Sequence, residues 1–265
     1  PIGMTGTRLE LDANVVSVLV PHLVNLQKAS EMAKVYPNSI VVAGIAAARA
    51  VLTEQQIENG VALIDIGGST TNVAIYEEGD LQYVGIVPVG GINITNDLAI
   101  GLKTDPELAE MIKIQYASAI NRHESSGVSV KHNDEIHDFD IADIDEIVEA
   151  RLEELFELVN KELKRAGREG RLPSGAVLTG GTAQLKGIAD YAKTALGLAA
   201  RVGVATGFGG VADGIDKPQF ATAIGLMLID AEGSIGAGHK EKNKKKSTLF
   251  GSLSPIAKLL GKFKA

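Results

Sequence analysis

The chain contains no cysteine in 265 residues, which excludes disulfide staples and thiolate metal sites. No apolar run approaches the roughly 20 residues that span a bilayer. Histidine is scarce: His22, His123, His132, His137 and His239 show neither HxxxH nor HExxH spacing and read as solvated loop residues rather than metal ligands. None of them stands near Ser69 or Thr70, so no Ser–His pair for a hydrolase is in view. An initiator methionine is also missing, because the sequence opens on Pro1, and a natural beginning is expected to precede it. What is present, 45% apolar and 22% charged residues, is ordinary for an α/β protein of one or two domains.

The net charge of −7 hides a division. From Lys240 to Ala265 eight lysines stand against Glu241 alone, a net +7, so residues 1–239 carry −14. An acidic body argues against a nucleic-acid-binding globule, and a basic tail asks for an anionic partner.

The central stretch is Leu63 to Tyr76, LIDIGGSTTNVAIY. An apolar run enters a carboxylate, then two glycines, three hydroxyl residues and a second apolar run, the pattern of a β-hairpin whose turn can grip phosphate. Gly67 and Gly68 are expected to take positive φ and to let the backbone approach an anion. Ser69, Thr70 and Thr71 add donors, and Asp65 is placed to hold a hydrated divalent metal.

Strand-like runs are expected over Arg8 to Val20 and Ile40 to Ala43, flanking a helix from Pro21 to Val35, with an Ala-rich helix at Ala46 to Leu52. After the hairpin come a third strand, Leu81 to Val89, then Gly90-Gly91 and a helix from near Thr95. Thr104 to Glu107 reads as a capping box, Val128 to Ile141 as a small hairpin, and Ile144 to Arg165 as the longest helix. A short strand, Ala176 to Thr179, ends in Gly180-Gly181, with Thr182 as the cap of a helix over Ala183 to Leu196. Strand-like Val202 to Val204, a glycine-rich loop over Thr206 to Gly214, a small-residue helix from Phe220 to Ile229 and a Gly/Ser/Lys-rich linker over 231–247 complete the body. Three strand-end glycine pairs, at 67–68, 90–91 and 180–181, can therefore meet around one ligand, since strand ends and helix N-termini are where α/β folds bind phosphate.

In this order the segments resemble the actin-like ATPase superfamily of actin, Hsp70 and sugar kinases. Asp65-Ile66-Gly67-Gly68-Ser69-Thr70 is similar to its second phosphate loop, Val177 to Thr182 to its adenosine motif, and Phe220 to Leu228 to its second connecting helix. Within the superfamily, PIGMTGTRLELDA, VPVGGINITNDLA, IVEARLEELFELVN, AVLTGGTAQLKGI and FATAIGLM resemble segments of the FtsA family of bacterial cell-division proteins. The resemblance implies an α/β, actin-like (ribonuclease-H-like) two-lobed ATPase fold binding ATP and Mg2+ between its lobes. Asp65 would face the metal, Gly67, Gly68, Ser69 and Thr70 the β- and γ-phosphates, and Gly180, Gly181 and Thr182 the ribose and α-phosphate. Glu149, Arg151 and Glu154 would lie on the helix flanking the nucleoside. Asn72 departs from relatives that often carry Asp.

The same resemblance implies that residues 1–55 complete a partial first lobe, including half of a family-specific inserted subdomain. Residues 56–217 would form the second lobe, with 103–170 as its small subdomain, and 218–230 the connecting helix back. The small subdomain would receive the C-terminal peptide of FtsZ. Implied as well are self-association into filaments, recruitment of other division proteins, a place on the cytoplasmic face of the membrane at the division site, and ATP hydrolysis that is slow or regulatory. The family's first phosphate loop would precede Pro1, so the chain is expected to bind ATP poorly alone.

The tail, 248–265, reads as a membrane-targeting amphipathic helix joined by the basic linker. Ser254 and Pro255 suit the start of a helix. Ile256, Leu259, Leu260 and Phe263 share a face, flanked by Lys258 and Lys262, with Leu249, Phe250 and Leu253 extending the apolar surface toward anionic lipid. Two other functions fit parts of the pattern. An actin-like pilus-assembly ATPase would not need the tail, and a small-molecule or carbohydrate kinase would need a catalytic aspartate that has no obvious place.

Overall fold

The computed structural model describes residues 5–8, 10, 13–37, 39–120, 122, 126–206 and 214–236, with backbone alone for 233–236. The described residues up to Asp230 form one compact unit. Its strands are β1 (Val61–Ile66), β2 (Thr71–Glu77), β3 (Asp80–Val87), β4 (Gly127–His132), β5 (Glu135–Asp140), β6 (Ala176–Thr179) and β7 (Ala200–Val202). Five of them make one sheet in the order β3-β2-β1-β6-β7, while β4 and β5 pair apart. The β1-β2-β3 meander is antiparallel, and β6 and β7 join β1 in parallel.

The sheet is covered on both faces, which is why β1 reads as an unbroken apolar run rather than an alternation. All six of its residues are buried. Ala62, Ile64 and Ile66 pack with residues of α4 (Gly91–Gly101), α5 (Pro106–Tyr116), α6 (Ile141–Arg165) and α7 (Ile188–Leu196). Val61 and Leu63 point the other way, against α2 (Ala43–Val51) and the start of α8 (Ala221–Gly236). Each fully buried Leu or Ile contributes ~1.5–3 kcal/mol relative to exposure. The expected stripe of α6 is the largest single contribution to the first face: Ile144, Val148, Leu152, Leu155, Phe156, Val159 and Leu163 are all at most 1% exposed. Asp140 caps that helix by accepting the Ala142 amide, and Lys164 and Arg165 sit at its C-terminal end, where the helix dipole favours cations.

Several local expectations change. No strand forms in the described part of Arg8 to Val20 or at Ile40 to Ala43. Val15, Val16, Val18 and Leu19 are instead exposed, because no neighbouring strand among the described residues accepts their backbone hydrogen bonds. The helix between them is present as α1 (Val20–Met32). Helix α4 starts at Gly91, four residues before Thr95, since Asn93 Oδ1 caps the Gly90 amide at 3.0 Å. The cap of α5 is Asp105, whose Oδ1 accepts the Leu108 amide at 2.9 Å, and not Thr104. Pro106 takes the first helical position, where its missing N–H costs nothing, and so sets the cap one residue later than expected. At the far end α8 runs to Gly236, so 231–236, read as linker, are helical. The tail residues 248–265 lie outside the described residues, as does most of the loop over Thr206 to Gly214.

One buried charge ties the chain after α5 to α6. The Asp145 carboxylate is 1% exposed and accepts both the backbone amide and the Nε of Arg122, at 3.0 and 2.9 Å. Removing one member of such a pair strands the other charge in low dielectric. Arg122→Ala is therefore expected to cost about 3–5 kcal/mol in chemical denaturation, and adding Asp145→Asn to that variant should restore part of the loss.

Candidate functional site

Strand direction alone brings the three glycine pairs to one edge of the sheet. β1 runs out to Ile66, the loop 67–70 turns the chain, β2 runs back, and β3 runs out again to Val87 just before Gly90. Because β6 is parallel to β1, its end at Thr179 delivers Gly180 to the same edge. Hydrogen bonds then lock the turns together. Gly91 N–H donates to the Gly67 carbonyl at 3.0 Å and Ile92 N–H to that of Gly68 at 2.7 Å. The Thr182 hydroxyl donates to the same Gly67 carbonyl at 3.0 Å.

The glycines are required for a reason other than the one expected in the hairpin. Neither Gly67 nor Gly68 has positive φ. The tight position is Gly90, where a Cβ would come within 2.7 Å of both the Gly67 and Gly68 carbonyls. Gly180 needs its freedom twice over: its φ is +91°, and a Cβ would sit 2.5 Å from Asp65 Oδ1. At Gly68, by contrast, an added Cβ would meet nothing within 4 Å. Its amide and that of Ser69 donate to no described residue, and both residues are exposed. With the Thr70 amide, which likewise has no described acceptor, they are the free backbone donors of the hairpin tip.

Thr182 does not cap an α-helix. Gly181–Gln184 is a single 3-10 turn, and α7 starts only at Ile188 behind Gly187. The Thr182 hydroxyl is used across the site, on Gly67, instead of on its own helix.

Asp65 follows from the two-residue period of β1. It points to the same face as Val61 and Leu63, and there Thr222 Oγ1 of α8 donates to its Oδ2 at 3.1 Å. It is 8% exposed. Burial pushes its carboxyl above the ordinary value of 3.8, and the Thr222 hydrogen bond only partly opposes that. Among the described residues no cation pairs with it.

The structure adds three residues that sequence reasoning passed over: Lys113, Thr95 and Glu110. Lys113 Nζ is held by the Gly91 carbonyl at 3.0 Å, Thr95 Oγ1 at 2.8 Å and Glu110 Oε2 at 2.6 Å. Burial pushes the Glu110 carboxyl up, but hydrogen bonds from Lys113 and Thr95 hold it below the ordinary range. Lys113 lines a cavity of about 470 Å³ that also contains Gly181, Thr182, Gln184, Lys186, Ile94 and Tyr116. It borders a second one with Gly68 and Ile92, so one ammonium lies between the phosphate-type hairpin and the larger of the two cavities. The only signal was the Glu110–Lys113 spacing on a helix, which is shared by many exposed ion pairs.

Glu149, Arg151 and Glu154 line neither cavity. Arg151 bonds Asp97 of α4 through Nε and Nη2, with Glu154 on its Nη1, and borders a separate cavity with Ile100 and Ile147. Glu149 lies in another hollow of α6. His132 is also not in a loop: it is on β4, 12% exposed, with its Nε2 3.6 Å from Asp105.

This arrangement, a meander extended by parallel strands with glycine turns at the carboxyl edge, is an actin-like fold. MreB5 of Spiroplasma citri bound to ADP superposes with a TM-score of 0.66 at 18% identity, covering 83% of this chain and 69% of that one. A MamK double helical filament gives 0.60 at 17%, covering 81% and 66%. The PilM-PilN type IV pilus biogenesis complex gives 0.60 at 19%, covering 78% and 57%. The sequence pattern of the family described as "Cell division protein FtsA" matches residues 62–225. The FtsA of Pseudomonas aeruginosa is 36% identical over 232 residues, 86% of this chain and 56% of that protein. That of Bacillus subtilis is 36% identical over 244 residues, 91% and 54%, and that of Escherichia coli K12 30% over 263 residues, 95% and 62%. The chain belongs to the FtsA family, and it spans little more than half the length of these relatives.

Burial of Asp65 gives a sign-definite prediction. Its ionised form is less favourable folded than unfolded, so its contribution to stability declines as pH rises from about 3.8 through its raised folded value and stays low above it. Asp65→Asn keeps an acceptor for Thr222 without the charge. Its thermal midpoint is expected to equal or exceed that of the parent at pH 7, and the difference should shrink as pH is lowered through that window.

Proposed function

We propose that this chain belongs to an actin-like, ATP-binding cell-division protein that polymerises at the cytoplasmic face of the membrane, anchors the FtsZ ring there and helps recruit later division proteins. The observation that carries the nucleotide part is the convergence of Gly67–Thr70, Gly90-Gly91 and Gly180–Thr182, with Lys113 lining the adjoining cavity. The free amides of Gly68 and Ser69 suit the terminal phosphates, and the cavity beside Gly181 and Thr182 suits the nucleoside. Lys113 then serves the charged end of that cavity.

Asp65 fits Mg2+ as a single carboxylate touching the ion through its water shell, since Mg2+ keeps several waters and takes few protein ligands. A dication would also offset the burial that now disfavours the charge. When bound, the ion would neutralise phosphate charge; hydrolysis in this reading is slow and regulatory. The domain reading given by the resemblance assigns the FtsZ peptide to residues 103–170, while the residue pattern itself gives the linker expected over 231–247 and membrane contact at 248–265. No described helix is long and apolar enough to cross a membrane, which accords with a peripheral anchor.

Two measurements test this reading. Titration with fluorescent ATP in millimolar Mg2+ is expected to show weak binding that Lys113→Ala weakens about tenfold, a loss of ~1.4 kcal/mol; unchanged affinity would contradict the site. Liposomes containing anionic lipid should sediment with the chain and no longer do so after deletion of residues 248–265. Undiminished sedimentation would contradict the membrane assignment while leaving the nucleotide site untouched.

A further inference from the structure

Between α6 and α7 lies an open groove of about 770 Å³ that has no part in the glycine-turn site. Its floor is apolar: Ile120, Phe156, Tyr191 and Ala195, with the Phe156 and Tyr191 rings 5.6 Å apart and tilted. Its rim is acidic. Glu146, Glu149, Glu153 and Glu157 follow one another along α6 at intervals of three and four residues, and Asp190 stands across from them on α7. No described cation pairs with Glu146, Glu153, Glu157 or Asp190.

Ordinary helix surfaces intersperse their acids with Lys and Arg. This one instead concentrates a single sign over an apolar strip, and the field is felt locally. Burial first, then the charges of Glu149 and Glu153, push the Tyr191 hydroxyl above its ordinary value of 10.0. Asn160, at the end of the groove, donates through Nδ2 to the Ala195 carbonyl at 2.8 Å, yet its Oδ1 is buried without a donor. The groove therefore presents negative charge along its length.

The pattern does not suit a metal. Carboxylates a helical turn apart are ~5.4 Å distant along the axis, and among the described residues the one three-ligand cluster is elsewhere, at Asp105, Glu107 and His132. It does suit a helix. From Glu146 to Asn160 the groove follows α6 for about 21 Å at 1.5 Å per residue, the length of roughly 14 residues in a ligand helix. Cations at i, i+4 and i+7 on such a helix would meet the carboxylate repeat while its apolar face covers Ile120 and Tyr191.

We propose that the α6–α7 groove is a docking site for a basic amphipathic helix of a partner protein, held by its apolar face on the floor of Ile120, Tyr191 and Ala195 and by Lys or Arg against the Glu146–Glu157 rim. Recognition is electrostatic at the rim and therefore weakens with salt, while the floor sets the apolar spacing. The site is separate from the nucleotide assignment and stands if that one fails.

A fluorescent 14-residue Leu/Lys peptide with helical spacing tests this by anisotropy titration against the whole chain. Binding in the micromolar range is expected, and Glu153→Gln with Glu157→Gln should weaken it about tenfold. Thr194→Trp, which intrudes on the groove from the exposed side of α7, should do likewise. Glu54→Gln with Glu58→Gln, removing the same charge from exposed positions on α3 (Glu54–Asn59), should leave affinity unchanged. The same peptide with Glu in place of Lys should not bind. No binding of the Lys peptide, equal losses in the α3 control, or groove variants of full affinity at parental thermal midpoint would each overturn the proposal.

Discussion

The carbonyl oxygens of Gly67 and Gly68 accept the first two amides of α4, and Gly67 accepts the Thr182 hydroxyl as well. A helix N-terminus leaves its first amides unsatisfied and positively polarised; here a neighbouring loop, not a ligand, takes up two of them. The cost of that arrangement is backbone contact too close for any side chain at Gly90. The consequence is rigidity: the hairpin tip is fixed from both flanks, by α4 on one side and by the turn after β6 on the other. The backbone amides of Gly68, Ser69 and Thr70 are left without a partner among the described residues. A loop so held can bind an anion with little loss of conformational entropy on binding.

Much of this arrangement is legible in the residues themselves. The order strand, Gly-Gly, strand, strand, Gly-Gly, helix and then strand, Gly-Gly can be read along the chain, and the pairing β1-β6 turns that order into one edge of one sheet. The long stripe of α6 is equally plain because a heptad-like run from Ile144 to Leu163 has no other use. The misreadings are local. Val15, Val16 and Val18 have strand propensity, but propensity forms no ladder without a partner. Thr104 and Thr182 resemble caps, yet Pro106 and the Gly67 carbonyl claim the geometry. The site's lysine is hidden for a different reason: Lys113 and Glu110 look like any exposed pair until Thr95 and Gly91 close on them. Arg151 and Glu154 form a charged helix face whose register places it against Asp97 and away from the cavity that Lys113 lines.

Asp65 records the tension between fold and function. On β1 every neighbour argues for an apolar residue, and burial with a single hydroxyl partner leaves its charge poorly compensated. Such a residue is a cost to the folded chain alone. The acidic rim of α6 is the same kind of observation on the surface: like charges kept together over an apolar floor, against the tendency of a stable helix to pair them.

If the locked glycine turns hold the terminal phosphates of a nucleotide on the free amides of the hairpin tip, amide hydrogen exchange of the chain with and without saturating Mg·ATP will show it. Slowed exchange is expected at Gly68 and Ser69 and in the turn Gly181–Gln184, with the β4–β5 hairpin unaffected. Exchange at Gly68 and Ser69 that does not change under conditions where ATP is bound would contradict that assignment.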